Sequence, residues 1–333
     1  MNILITGVHG FVGSNLVAAL KTNHKIYGLD IISPNKEGVI KTFSWNELDL
    51  IPEIDVIIHL AGKAHDTKNQ TNAQIYFDIN TGLTQKVYDW FLTTNACKFV
   101  FFSSVKAAAD KVEGDFLTED VTPTPLGPYG ESKIAAENYL ISCQLTANNS
   151  QFSVDSENVE KELSTNNCQL STKKTYILRP CMIHGPGNKG NLNLLYQVVK
   201  KGIPYPLGAF ENRRSFCSID NLSFVISELI NKEIPSGIYN VGDDECLSTN
   251  ELIALMAKTM HKPNRIWNWN KSIIESLARL GSVIHLPLNT ERLEKLTENY
   301  VVSNEKLKKA LSIDKMPTHA QDGFQITVKS FMN

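Results

Sequence analysis

The sequence predicts a doubly wound parallel α/β sheet with a smaller, mainly helical C-terminal lobe, and three observations carry that prediction. Short, continuously apolar runs at Ile3–Thr6, Ile26–Asp30, Val39–Phe43, Val56–Leu60, Phe99–Phe102 and Thr175–Leu178 lack period-two alternation, as parallel strands covered on both faces do. Between them Val12–Lys21, Ala73–Leu92 and Ser132–Ile141 show helical spacing. A glycine-rich turn joins the first apolar run to the first helix, where open α/β sheets place their ligand site. Residues 1–179 with about 217–242 are therefore assigned to the sheet domain, and 180–216 with 243–333 to the lobe, where Gly185-Pro186-Gly187 and Ile203-Pro204-Tyr205-Pro206 break the rhythm.

Taken in order, the first element of chemical interest is Gly7-Val8-His9-Gly10-Phe11-Val12-Gly13. Its glycines suit a tight turn, a backbone that a pyrophosphate can approach, and a helix N-terminus whose N–H groups attract the anion. Asp30 ends the second strand, where a carboxylate accepts hydrogen bonds from the adenosine ribose hydroxyls and repels a 2′-phosphate, so NAD is expected over NADP. Tyr129 and Lys133 stand four residues apart on one helical face. Tyr196 and Lys200 repeat that spacing, and with 10 tyrosines and 27 lysines one such pair is expected by chance. Context separates the two. Tyr129 follows a proline-rich turn (Pro123, Pro125, Pro128), and Ser103-Ser104 end a buried strand upstream; Tyr196 has no such counterpart and is assigned to helix packing. A phenol is a poor base near neutral pH, but the Lys133 ammonium and a cationic nicotinamide would favour its anion, and Ser104 could hold the same substrate oxygen. The set reads as a carbinol–carbonyl redox site.

Composition narrows the alternatives. The 333 residues carry 33 Lys+Arg against 35 Asp+Glu, so no global field draws the chain to nucleic acid. Six cysteines, at 97, 143, 168, 181, 217 and 246, form no Cys-x-x-Cys and have no histidines at ligand spacing; no metal is expected, and the thiols read as reduced ones of a cytoplasmic protein. The apolar start runs directly into the glycine motif and reads as a strand rather than a signal peptide, and no apolar stretch is long enough to span a membrane. Gln144–Lys174, polar and free of Gly and Pro, reads as a solvated insertion.

Together these motifs resemble the extended short-chain dehydrogenases/reductases of the nucleotide-sugar epimerase/dehydratase group. The resemblance also rests on Asp55-Val56-Ile57-Ile58-His59-Leu60-Ala61-Gly62, Asn80, Arg179-Pro180, Gly185-Pro186-Gly187, Arg214-Ser215-Phe216, Ile219-Asp220-Asn221 and Tyr239-Asn240-Val241-Gly242. It implies a Rossmann-type sheet, NAD contacts from Gly7, Gly10, Phe11, Val12, Gly13, Asp30, Leu60, Ala61, Gly62, Asn80, Ser103, Tyr129, Lys133 and Pro180, and catalysis by Ser104, Tyr129 and Lys133. It further implies a nucleoside diphosphate sugar, UDP-linked for preference, as substrate, and a homodimer. An NAD-dependent 4-epimerase heads the expectations, with a 4-keto-sugar reductase second and a non-catalytic NAD(P)-sensing protein last. Val105-Lys106 stands where the group's dehydratases carry an Asp-Glu pair, so elimination of water is not expected.

On the substrate side only six arginines occur, and planar guanidinium is the better partner for a diphosphate. Arg214 is the first candidate and Arg292 the second, with Met182, Asn191, Leu192 and Ser104 expected nearby; Arg213 reads as solvated. His59 reads as a buried, satisfied histidine, and His65 and His184 have no required role. Trp267 and Trp269, with Arg265 and Lys271, precede the amphipathic segment Ile273–Leu288, which is expected to pack within the lobe; the alternative is a surface helix resting on a membrane.

Overall fold

A computed structural model describes residues 1–63, 72–149, 173–188, 190–283 and 289–332. Seven parallel strands among them form one sheet: β1 (Asn2–Thr6), β2 (Lys25–Leu29), β3 (Thr42–Phe43), β4 (Val56–His59), β5 (Lys98–Phe102), β6 (Lys174–Pro180) and, returning late in the chain, β9 (Gly237–Val241). Their spatial order is β3-β2-β1-β4-β5-β6-β9, so the chain reverses direction across the sheet between β1 and β4. A second, two-stranded sheet pairs β7 (Met182–His184) with β8 (Phe216–Ser218). The helices in order are α1 (Phe11–Leu20), α2 (Ala73–Tyr76), α3 (Leu83–Thr93), α4 (Val105–Ala108), α5 (Gly127–Asn149), α6 (Asn191–Lys200), α7 (Ile219–Asn231), α8 (Thr249–Thr259), α9 (Lys271–Val283), α10 (Thr290–Thr297), α11 (Glu305–Leu311) and α12 (Ala320–Met332).

The unbroken apolar strands follow from burial on both faces. Ile3, Ile5 and Ile58 point into a core shared with α1 and α7, whereas Leu4, Ile57 and Phe99 point into one shared with Phe91 of α3 and Leu140 of α5. Past β6 the chain is mostly helical, and Tyr196, Phe216, Leu252, Met256 and Phe324 build a separate core there.

Three elements depart from the sequence expectation. The third strand shrinks from Val39–Phe43 to Thr42–Phe43, because it pairs only with β2 at the sheet edge and the chain before it turns at Gly38, with φ +82°. The helix bearing Tyr129 and Lys133 starts at Gly127 rather than Ser132, since Pro128 is compatible with a first helical turn whose N–H groups have no intrahelical acceptor. The stretch from Ala73 is interrupted by a π-turn over Phe77–Gly82, a distortion that recurs at functional sites and here carries Asn80. Of the polar insertion, α5 covers the residues up to Asn149; 150–172 lie outside the described residues, as does His65.

Candidate active site

The cofactor-type loops meet at the carboxyl edge of the sheet. Gly7 turns the chain at φ +68°, donates its N–H to Leu29 O at 2.9 Å, and sits so close to β4's exit that a Cβ there would lie 3.1 Å from Ala61 N. A Cβ on Gly13 would stand 2.4 Å from Gly7 O, so glycine lets α1 pack against the turn. Gly10 caps α1 with extended backbone and no side-chain cap, and the first turn carries no acid, which leaves its N–H groups and dipole for an anion. Asp30 accepts from His9 N (3.0 Å) and Ile31 N (2.8 Å), which fixes its carboxylate beside that turn. Asn15 donates to Phe11 O and Pro186 O, tying the Gly185-Pro186-Gly187 loop to α1. This uncapped, glycine-lined cradle with a fixed acid at the end of β2 fits a dinucleotide. Removing the acid tests that fit: Asp30→Ala is expected to weaken NAD(H) binding and narrow its advantage over NADP(H) in parallel titrations, and a native preference for NADP(H) would overturn the assignment.

A directional hydrogen-bond chain locks the opposite wall. Ala61 N donates to Thr6 Oγ1, which lies 2.8 Å from His59 Nδ1; His59 Nε2 lies 3.0 Å from Thr84 Oγ1, and Thr84 donates to Asn80 O. Because Thr84's proton is committed to Asn80, the histidine donates from Nε2, and a neutral ring then accepts the otherwise unpartnered Thr6 hydroxyl proton at Nδ1. Burial agrees, lowering its pKa to about 3. The unfolded chain therefore binds a proton that the folded one refuses between about pH 6.5 and 3. Stability is complete above that window and falls as pH drops through it, with a slope approaching about 1.4 kcal/mol per pH unit. His59→Asn should flatten this acid limb in thermal unfolding scans, and an unchanged limb would assign acid sensitivity elsewhere.

Between these walls stand the three expected catalytic side chains. Ser104 ends the loop after β5, caps α4 by accepting from Lys106 N, and stands close enough to the Tyr129 phenol to lower its proton affinity. Tyr129 is partly exposed, and its ring meets Tyr76 edge-on at 6.3 Å. Lys133, one turn further along α5 and 5% exposed, donates to Phe102 O at 2.8 Å. A Cβ on Gly62 would lie 3.1 Å from Lys133 Nζ and 2.9 Å from Asn80 Oδ1, so glycine is what admits both side chains. Asn80 is held by Lys63 N and O and by Ser132 Oγ. Burial pulls Lys133 down to about 8, opposed by Glu137, so the ammonium still predominates at neutral pH. Enclosure raises the Tyr129 phenol's pKa, and Ser104 opposes the rise.

Sequence reasoning missed what lies behind this site. Glu137, one turn beyond Lys133, is fully buried and accepts from Arg179 Nε (3.0 Å) and Nη2 (2.6 Å) as well as from Ser103 Oγ. A carboxylate four residues after Lys133 on the buried face of a helix was the available signal. Also missed was Lys36, which donates to Ser14 Oγ at 2.7 Å and is within electrostatic range of Asp30.

The substrate-side candidates are placed unevenly. Arg214 donates to Glu298 Oε1 (3.0 Å) and Lys295 O (3.1 Å), on and just after α10, the helix that also bears Arg292. Its segment is tied to the end of α4 through Tyr300, whose hydroxyl donates to Ala109 O. Met182 is exposed two residues beyond the end of β6, whereas Leu192 is 4% exposed and packs in the lobe core; the side chain of Asn191 lies outside the described set. Tyr196 is buried in the same core against Phe331, and His184 is buried between Phe324, Thr327 and Asp243. Among the described residues no His/Cys/Asp/Glu group could hold a metal ion, and no helix is long and apolar enough to cross a membrane.

A parallel sheet with a dinucleotide cradle and a Ser/Tyr/Lys set at its carboxyl edge defines a class, the short-chain dehydrogenase/reductase type of enzyme. More narrowly, residues 3–242 match the NAD dependent epimerase/dehydratase family, and the chain belongs to it. It is 28% identical to a UDP-glucose 4-epimerase of Vibrio cholerae, over 99% of this chain and 95% of that one. It is 25% identical to an N-acetyl-alpha-D-glucosaminyl-diphospho-ditrans,octacis-undecaprenol 4-epimerase of Escherichia coli O157:H7, over 78% of this chain and 73% of the relative. Among solved structures, UDP-glucuronic acid 4-epimerase from Bacillus cereus in complex with NAD superposes with a TM-score of 0.69 at 20% identity, covering 100% of this chain and 99% of that one.

Proposed function

We propose that the protein is an NAD-dependent nucleotide-sugar 4-epimerase. The observation that carries this reading is the grouping of Ser104, Tyr129 and Lys133 at the carboxyl edge of the sheet, with Lys133 anchored on Phe102 O beside Gly62. Tyr129 takes the proton of the sugar's C4 hydroxyl while Ser104 holds the same oxygen. Lys133 supplies the positive charge that favours the phenolate as that proton moves. Bound NAD supplies a hydride acceptor that can return the hydride to the other face of the 4-keto sugar. Val105 and Lys106 offer no acid–base pair for elimination, and Lys106 is occupied with Asp110. The names of the Vibrio and Bacillus proteins support a UDP-sugar as substrate.

Arg214 is assigned to the diphosphate, with Glu298 holding its guanidinium in position. Arg214→Ala is expected to raise KM roughly tenfold or more, the loss of about 1.5–3 kcal/mol of charge-assisted hydrogen bonding, with NAD affinity unchanged. An unchanged KM would move the phosphate site, with Arg292 next.

A 4-keto-sugar reductase is the second reading, and Lys36 favours it: a cation held on Ser14 of α1, within electrostatic range of Asp30, could offset the charge of a 2′-phosphate. Product NMR on UDP-, GDP- and dTDP-sugars, with and without added NADPH, separates the two. The epimerase interconverts C4 epimers without added reductant. Turnover of 4-keto sugars alone, with NADPH consumed, would establish the reductase instead.

A further inference from the structure

The segment expected to pack within the lobe does so on only one side. Residues 265–269 run as an extended strap against Tyr205–Gly208: Tyr205 N donates to Arg265 O, Trp267 N to Tyr205 O, and Gly208 N to Trp267 O. A Cβ on Gly208 would stand 2.2 Å from Asn268 Oδ1 and 2.5 Å from an Ile266 methyl, so the strap is pressed close. Side chains alternate along it. Ile266 turns toward the lobe core, while Trp267 and Trp269 stack on each other at 6.3 Å and remain 49% and 43% exposed. The following helix, α9, carries two apolar stripes. Ile274 and Ala278 are buried against Leu207 and Leu293, but Ile273, Leu277 and Leu280, at i, i+4 and i+7, are 56%, 43% and 52% exposed. Packing thus explains the first stripe and not the second.

We propose that Trp267, Trp269 and the outer stripe of α9 form a docking surface for an anionic lipid bilayer. Charge selects this occupant. Between Glu251 and Glu275 the chain carries Lys258, Lys262, Arg265 and Lys271 and no acid, so the indoles and the start of the stripe emerge from a basic stretch. Exposed indoles with aliphatic side chains bordered by cations suit the headgroup–acyl boundary of a membrane with negative surface charge. A second copy of the chain fits less well, because a two-fold interface would set this basic stretch against itself. The surface is also braced to the substrate side: α9 packs on α10, next to the Arg214–Glu298 pair. Docking here would hold the lobe at the bilayer surface without any segment crossing it. The inference does not depend on which reaction the cleft performs.

Co-sedimentation of the full chain with phosphatidylcholine vesicles, with and without phosphatidylglycerol, tests it. Binding is expected only to the anionic vesicles and should weaken as salt is raised. Trp267→Ser with Trp269→Ser should reduce partitioning by roughly tenfold or more, and Leu277→Gln with Leu280→Gln should reduce it independently. Since all four side chains are exposed, the unfolding temperature and NAD(H) binding should stay unchanged in both variants. Failure of the wild-type chain to bind anionic vesicles overturns the proposal, as does binding by both double variants equal to that of the wild type. A dimer in light scattering that the tryptophan variant splits, with no vesicle binding, would instead make the face a self-interface and equally overturn it.

Discussion

Tyr129→Phe is expected to lower kcat by roughly 10²–10⁴ while cofactor binding is retained, the range for losing a general acid/base. The substitution removes one hydroxyl from a ring that also packs on Tyr76, so the cleft wall keeps its shape. What disappears is the oxygen that stands by Ser104 and that would receive the substrate proton. Tyr196→Phe is the control with the same chemical change and the same Tyr-x-x-x-Lys spacing. Its ring lies in the lobe core with Lys200 over its face at 5.6 Å, and turnover should be nearly intact. Lys133→Met should also be damaging, because it removes the cleft's ammonium and frees Phe102 O. Steady-state kinetics on all three variants decide the matter. An intact Tyr129→Phe enzyme, or an equal loss in Tyr196→Phe, would place the chemistry on the wrong helix.

That contrast also marks how far the sequence could be read. Tyr129 and Tyr196 have the same local spacing, and what distinguished them was order: a buried strand ending in Ser103-Ser104 upstream, then a proline turn opening a helix. Strand polarity, the glycine turn and Asp30 were legible for the same reason, since each is a local pattern with a local physical cause. Contacts made across the fold were not. Nothing local in Thr6, His59 and Thr84 announces that two threonines will hold an imidazole neutral between the glycine turn and Asn80. Nor does spacing reveal that Leu192 faces a core or that Ile273, Leu277 and Leu280 of α9 face outward, because helical periodicity reports that a stripe exists and not what covers it. The enclosure that raises Tyr129's pKa was hidden for a related reason: charge partners can be guessed from sequence, but enclosure is a property of the closed fold.

The same limit hid the Glu137–Arg179 pair, which underlies the second large effect. Glu137→Ala is expected to cost about 3–5 kcal/mol of stability, since it leaves a guanidinium that is 1% exposed without its counter-charge. Arg179 already has Nη1 without a partner among the described residues, so no second acceptor stands ready, and Ser103 loses its acceptor as well. Replacing both members by apolar residues, Glu137→Leu with Arg179→Met, should recover most of that loss, because no isolated charge remains buried. Activity should not recover in step. Glu137 is the charge that opposes the desolvation of Lys133, so without it the ammonium's pKa falls further below about 8. The alkaline limb of kcat/KM should then move to lower pH in the double variant even where its unfolding temperature matches the wild type. Thermal unfolding and a pH profile on the same preparations separate the two roles. If the profile is unmoved while stability is restored, Glu137 serves the fold alone; if it shifts, the buried pair positions the catalytic charge.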